Sequence, residues 1–194
     1  MEFENEITVE VDTSLENLIK ILEMNDFKLR EEYDLNDIYM IHKSDNEKKE
    51  DYLSMLNRCI LIRDIIENDE ERKMLTYKYK EYNENKEITK QGKIKCSIDN
   101  VENAQMLFEK LNFEKLIEIK DHMSVYANKT DELAIQCVNG KHVYIEVETK
   151  CSYAEKNYES IDQMKNVFSK YSIPIKDNNY FVKKAEIELQ ETYG

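Results

Sequence analysis

The sequence predicts an α+β fold: an antiparallel sheet of about eight strands with flanking helices, a tally that suits a layered fold or a barrel. Two observations lead there. Apolar and charged residues alternate with period two over many short stretches, and amphipathic helical spacing appears in only three or four. A strand-then-helix pattern also occurs twice, so the 194 residues are read as a single domain, 1–194, in two pseudo-repeated halves, about 1–90 and 91–194.

Residues 3–12 alternate as a strand, and Thr13-Ser14-Leu15-Glu16 then offers a capping box before Leu15, Leu18, Ile19 and Leu22, which share one helical face. Extended stretches follow near 28–34 and 37–43, then a polar loop, Ser44 to Asp51. Residues 55–66 and 72–82 form a hairpin about Asn68-Asp69-Glu70-Glu71. The second half replays the first. Lys93 to Asp99 alternates and leads into a helix carrying Val101, Ala104, Leu107, Phe108 and Leu111. Strands are expected near 114–127, 132–138 and 142–150, with a tight turn at Asn139-Gly140. A helix from about Ala154 to Tyr171 stops at Ser172-Ile173-Pro174. The tail from Asn178 to Gln190 reads equally as strand or closing helix.

A formal charge of −13, from 41 acidic and 28 basic residues, argues against nonspecific binding to nucleic acid or anionic membrane. No apolar run approaches the ~18 residues of a membrane span, and no signal-peptide pattern is legible, so a cytoplasmic location is expected. Cys59, Cys96, Cys137 and Cys151 lack zinc or disulfide spacing and are read as reduced and mostly packed. His42, His122 and His142 share no metal-ligand spacing, and no nucleophile and base pairing is legible. Three glycines and the absence of a GxxxxGK run leave nucleotide or phosphate binding to side chains.

Those side chains lie in rows. Glu2, Glu4, Glu6 and Glu10 alternate with apolar residues in the first strand, as Glu146 and Glu148 do in a late one. Thr76, Lys78 and Lys80 share a face of another strand, and Lys93 and Lys95 a face of the next, while Arg58 and Arg63 flank the first hairpin strand at opposite parity. Taken alone, charge alternation is more commonly the mark of a wet sheet face. Segregation of acids and bases onto separate strands favours a shared cation instead. Clustered carboxylates suit a hard divalent ion, with arginine and lysine on phosphate oxygens beside it.

The order of these pieces resembles the CYTH superfamily, which includes class IV adenylate cyclases, thiamine triphosphatases and other triphosphate tunnel metalloenzymes. The likeness covers nearly the whole chain. The family's ExExK strand is matched by Glu4-Asn5-Glu6-Ile7-Thr8, its DxY element by Asp37-Ile38-Tyr39 and its RIR strand by Leu61-Ile62-Arg63. Leu75-Thr76-Tyr77-Lys78 matches LTYK, and Gly140 through Glu146-Val147-Glu148 matches the late G...EIE strand. The family lysine is Thr8 here, its first arginine Leu61, its mid-chain ExE Lys93-Ile94-Lys95, its KxR pair Lys120-Asp121-His122 and its penultimate-strand aspartate Cys137.

The resemblance implies an eight-stranded antiparallel barrel whose tunnel binds a small-molecule triphosphate or nucleotide with Mg²⁺ or Mn²⁺. Metal would fall to Glu4, Glu6, Glu146 and Glu148, and phosphate to Arg63 and Lys78, with Arg58, Lys93, Lys95 and Lys120 as further cations. A triphosphatase is the first expectation. An adenylate cyclase, or a weakened nucleotide- or polyphosphate-binding module, are the others, and a homodimer is compatible with the sequence.

Overall fold

The computed structural model describes residues 6–47, 51–68, 70–82 and 88–194, without the side chains of 79–82 and 88–91. The elements run β1 (Glu6–Glu10), α1 (Leu15–Met24), β2 (Lys28–His42), α2 (Lys43–Asn46), α3 (Tyr52–Leu56), β3 (Ile60–Glu67), β4 (Glu70–Tyr82), β5 (Ile88–Ser97), α4 (Val101–Lys110), β6 (Phe113–Ala127), β7 (Glu132–Val138), β8 (His142–Glu148), α5 (Ile161–Lys170) and α6 (Lys184–Tyr193). The strands form one eight-stranded antiparallel sheet in the order β1-β8-β7-β6-β2-β3-β4-β5. Exchanging β1 with β5, β2 with β6, β3 with β7 and β4 with β8 reverses that order without changing it. The repeat in the sequence is thus a repeat in pairing.

Local chemistry repeats as well. Ser14 caps α1 by accepting from the Asn17 amide, and Asn100 caps α4 by accepting from Asn103, a contribution of about 1 kcal/mol each. Both helices have 10 residues and lead to 15-residue strands. Asp26 (φ 63°) and Asn112 (φ 68°) supply the left-handed residue at each junction, a conformation these short polar side chains tolerate.

Among the described residues β1 does not pair with β5, so the expected barrel is an open sheet. The outer edge of β1 is already engaged: the Thr8 amide donates to the Tyr180 carbonyl (3.0 Å), Val182 to Thr8 (3.1 Å), Lys176 to Glu10 (2.9 Å) and Asp12 to Pro174 (3.0 Å). Residues 174–182 therefore satisfy the groups that closure would need, and they shield an edge that could otherwise recruit another chain.

The chain forms two compact units, Met1–Asp34 with Asp121–Lys183, and Leu35–Lys120 with Lys184–Gly194. In the first, Ile7, Val9, Val143, Ile145 and Val147 meet Leu18 and Leu22 of α1 and Met164, Val167 and Phe168 of α5. Each such side chain contributes roughly 1.5–3 kcal/mol on burial. A buried carboxylate, Asp131, sits in this unit, accepting from Lys170 Nζ (2.6 Å), Tyr171 Oη (2.6 Å), Thr130 Oγ1 (2.7 Å) and Tyr158 Oη (3.0 Å). In the second, Ile38, Met40 and Ile62 pack against Ala104 and Phe108 of α4.

Four local expectations change. Residues 28–42 make one long strand rather than two. Within the expected 44–51 loop, Lys43–Asn46 turns as a short helix, and residues 48–50 lie outside the described set. The strand placed at 55–66 starts only at Ile60, because Asp51 caps α3 by accepting from the Ser54 amide. The helix expected over 154–171 is confined to Ile161–Lys170, where Ser160 caps it, and Tyr158 instead turns inward to Asp131. The open question over 178–190 resolves into two parts: residues up to 182 line the β1 edge, and α6 follows with Ala185, Glu188 and Leu189 buried. Among the described residues, no helix is long and apolar enough to cross a membrane.

Candidate metal centre

Strands β1 and β8 pair with Glu6 opposite Glu148, Thr8 opposite Glu146 and Glu10 opposite Tyr144. Alternation sends these residues to one face and Ile7, Val9, Ile145 and Val147 to the other, into the core. Oxygens of Glu6, Glu146 and Glu148 consequently lie within 4.8 Å of one another. Glu146 is half-buried and the other two are exposed. Three hard carboxylate oxygens with neither sulfur nor imidazole suit Mg²⁺ or Mn²⁺, which take a few carboxylates and fill the remaining positions with water or phosphate. Glu4 lies outside the described residues.

Glu10 belongs to the same face but is engaged elsewhere, accepting from Lys176 Nζ (2.9 Å) and meeting His142 Nδ1 (3.3 Å). Lys176 is held protonated above its ordinary range by the hydrogen bond to Glu10. On β7 the neighbour of this face is Gln136, whose Nε2 donates to Glu146 Oε2 at 2.8 Å.

In the second unit, Lys78 stands directly opposite Lys93 and Thr76 opposite Lys95, while Leu61 faces Thr76 and Arg63 faces Met74. All of these share one face of β3, β4 and β5. Lys78, Lys93 and Lys95 are exposed, and Thr76 is buried. Like charges set directly opposite each other on neighbouring strands repel.

Arg63 is held by Asp37, Nε to Oδ1 at 2.7 Å and a terminal nitrogen to Oδ2 at 2.6 Å, a bidentate pair on a carboxylate that is only 2% exposed. Arg58 precedes β3 and lies 3.5 Å from Asp45, so the parity question raised by the two arginines disappears.

No protein-family model and no curated protein matches the chain. Solved structures do. The PH1819 protein of Pyrococcus horikoshii OT3 superposes with a TM-score of 0.67 at 17% identity, over 97% of this chain and 99% of that one. The candidate adenylyl cyclase HpAC1 from Hippeastrum, whose dominant activity is that of a triphosphatase, superposes at 0.62 with 14% identity over 98% and 96%. A candidate adenylate cyclase from Vibrio parahaemolyticus gives 0.57 with 10% identity over 96% and 98%. The fold is CYTH-like.

Within this CYTH-like sheet one assignment by resemblance shifts. The penultimate-strand position that faces the acidic cluster is Gln136 rather than Cys137, because Ala134 pairs with Glu146 and Gln136 with Tyr144, which leaves Cys137 on the opposite face. A two-residue turn at Asn139-Gly140 would have reversed this. The turn itself is present, with both residues at positive φ, but Lys141 is an extra residue before Val138 meets His142, and one added residue exchanges the faces of a strand.

On β6, Asp121 pairs with Val138 and Met123 with Gln136, so these two share the face of Glu146 while His122 points to the other. His122 bridges Asp34 (Nδ1, 2.7 Å) and Glu32 (Nε2, 2.9 Å). Two carboxylates each need a donor, so the ring is an imidazolium, and those bonds, Asp34 first, hold its pKa above the ordinary value.

Proposed function

We propose that the chain is a metal-dependent, triphosphate-binding phosphohydrolase acting on inorganic or organic triphosphate. The convergence of Glu6, Glu146 and Glu148 within 4.8 Å carries this reading. Mg²⁺ or Mn²⁺ held there would withdraw charge from phosphoryl oxygens. Lys78, Lys93 and Lys95 are exposed cations on one face of the second unit, a chemistry suited to phosphate oxygens. Arg63, fixed by Asp37, and Arg58 add positive charge to the second unit. Support also comes from HpAC1, the structural neighbour whose dominant activity is that of a triphosphatase.

Phosphate and cyclic AMP are followed after incubation with tripolyphosphate, ATP or thiamine triphosphate, with Mg²⁺ or Mn²⁺. Metal-dependent phosphate release that is lost in Glu146→Gln is expected. Cyclic AMP as the main product would make the chain a cyclase, and tight triphosphate binding without turnover a binding module. Turnover unchanged in both Glu6→Gln and Glu146→Gln would refute the site.

A further inference from the structure

Gln136 is 2% exposed, and its amide nitrogen donates to Glu146 Oε2 at 2.8 Å. A carboxylate only accepts, so the amide must present its NH₂ group, and the carboxylate cannot turn without losing that bond inside a buried strand. Of the three acids in the cluster, Glu146 is the half-buried one. Its direction is therefore set from β7, by a residue with no charge of its own. An acid at 136 would add a fourth negative charge beside Glu146 and remove the donor together.

We propose that Gln136 is a positioning residue, aiming the Glu146 carboxylate at a single divalent cation and keeping the cluster at three charges. This rests on the metal reading above. Partners of metal-ligating groups commonly change affinity by about 10- to 100-fold when removed. Their effect falls on metal affinity more than on folding.

The test is calorimetric titration of Mn²⁺ alone into the full chain, wild type and variants, from pH 5.5 to 8. Gln136→Leu should bind Mn²⁺ at least about 10-fold more weakly at every pH while remaining folded by circular dichroism. Gln136→Met, nearly isosteric but without a donor, should weaken Mn²⁺ binding comparably and serves if the leucine variant does not fold. Urea denaturation of the metal-free variants separates a purely structural role, which would lower the midpoint and leave Mn²⁺ affinity intact.

Folded Gln136→Leu or Gln136→Met with wild-type Mn²⁺ affinity overturns the inference and leaves the metal site standing. Wild-type binding that Glu146→Gln does not weaken, or no binding at all, overturns both.

Discussion

Replacing Glu6 by glutamine should stabilise the metal-free protein and remove much of the stability that metal adds. With carboxylate oxygens within 4.8 Å of one another, each like-charged pair costs about 1 kcal/mol at the dielectric of water. Glu6 takes part in two such pairs, and screening at ~0.1 M salt roughly halves their sum. About 1 kcal/mol is released on neutralisation, equivalent to roughly 2–4 °C in melting temperature for a chain of this size. Mn²⁺ at about 100 times its dissociation constant should add about 2.7 kcal/mol to the wild type. If the three carboxylates share the ion as proposed, that gain should fall to half or less in Glu6→Gln, because one of three charged groups is gone. Differential scanning fluorimetry in EDTA and in excess Mn²⁺ reads both effects. A variant that melts at or below the wild type in EDTA, and gains as much from Mn²⁺, would refute the reasoning.

Three further outcomes follow from geometry. His122 is held protonated by Asp34 and Glu32, so its contribution is complete below its unfolded pKa of about 6.5 and is lost as pH rises through the higher folded value; His122→Asn should flatten the urea midpoint over that window. Burial opposes ionisation of Asp131, but hydrogen bonds from Lys170, Tyr171, Thr130 and Tyr158 hold its carboxyl below the usual range, so that stability is present above about pH 4 and is lost as pH falls through the folded value. Asp131→Asn should cost about 3 kcal/mol near neutral pH by chemical denaturation, and an undiminished urea midpoint would contradict the assignment. Gly140 has φ +68° with open space where a Cβ would project, so Gly140→Ala should cost about 1–2 kcal/mol through backbone strain alone.

Much of this was legible in the residues themselves. Period-two alternation assigned Glu6, Glu146 and Glu148 to polar faces, Ser14 and Asn100 announced helix starts, and Asn139-Gly140 announced a turn, because each signal is local and depends on a few dihedral angles. The repeat was visible for the same reason.

Pairing decided the rest. Which acids meet depends on the β1–β8 register, and whether Cys137 or Gln136 faces them depends on a single extra residue at Lys141. That Asp37 of β2 holds Arg63 by a bidentate pair was not legible either, because the two residues lie on different strands. Residues 174–182 alternate too weakly to announce themselves, yet they hold the edge on which closure depends. A strand's own sequence determines which residues share a side. The partner to which its amides and carbonyls bond determines what that side confronts, and that partner lies far away in the chain.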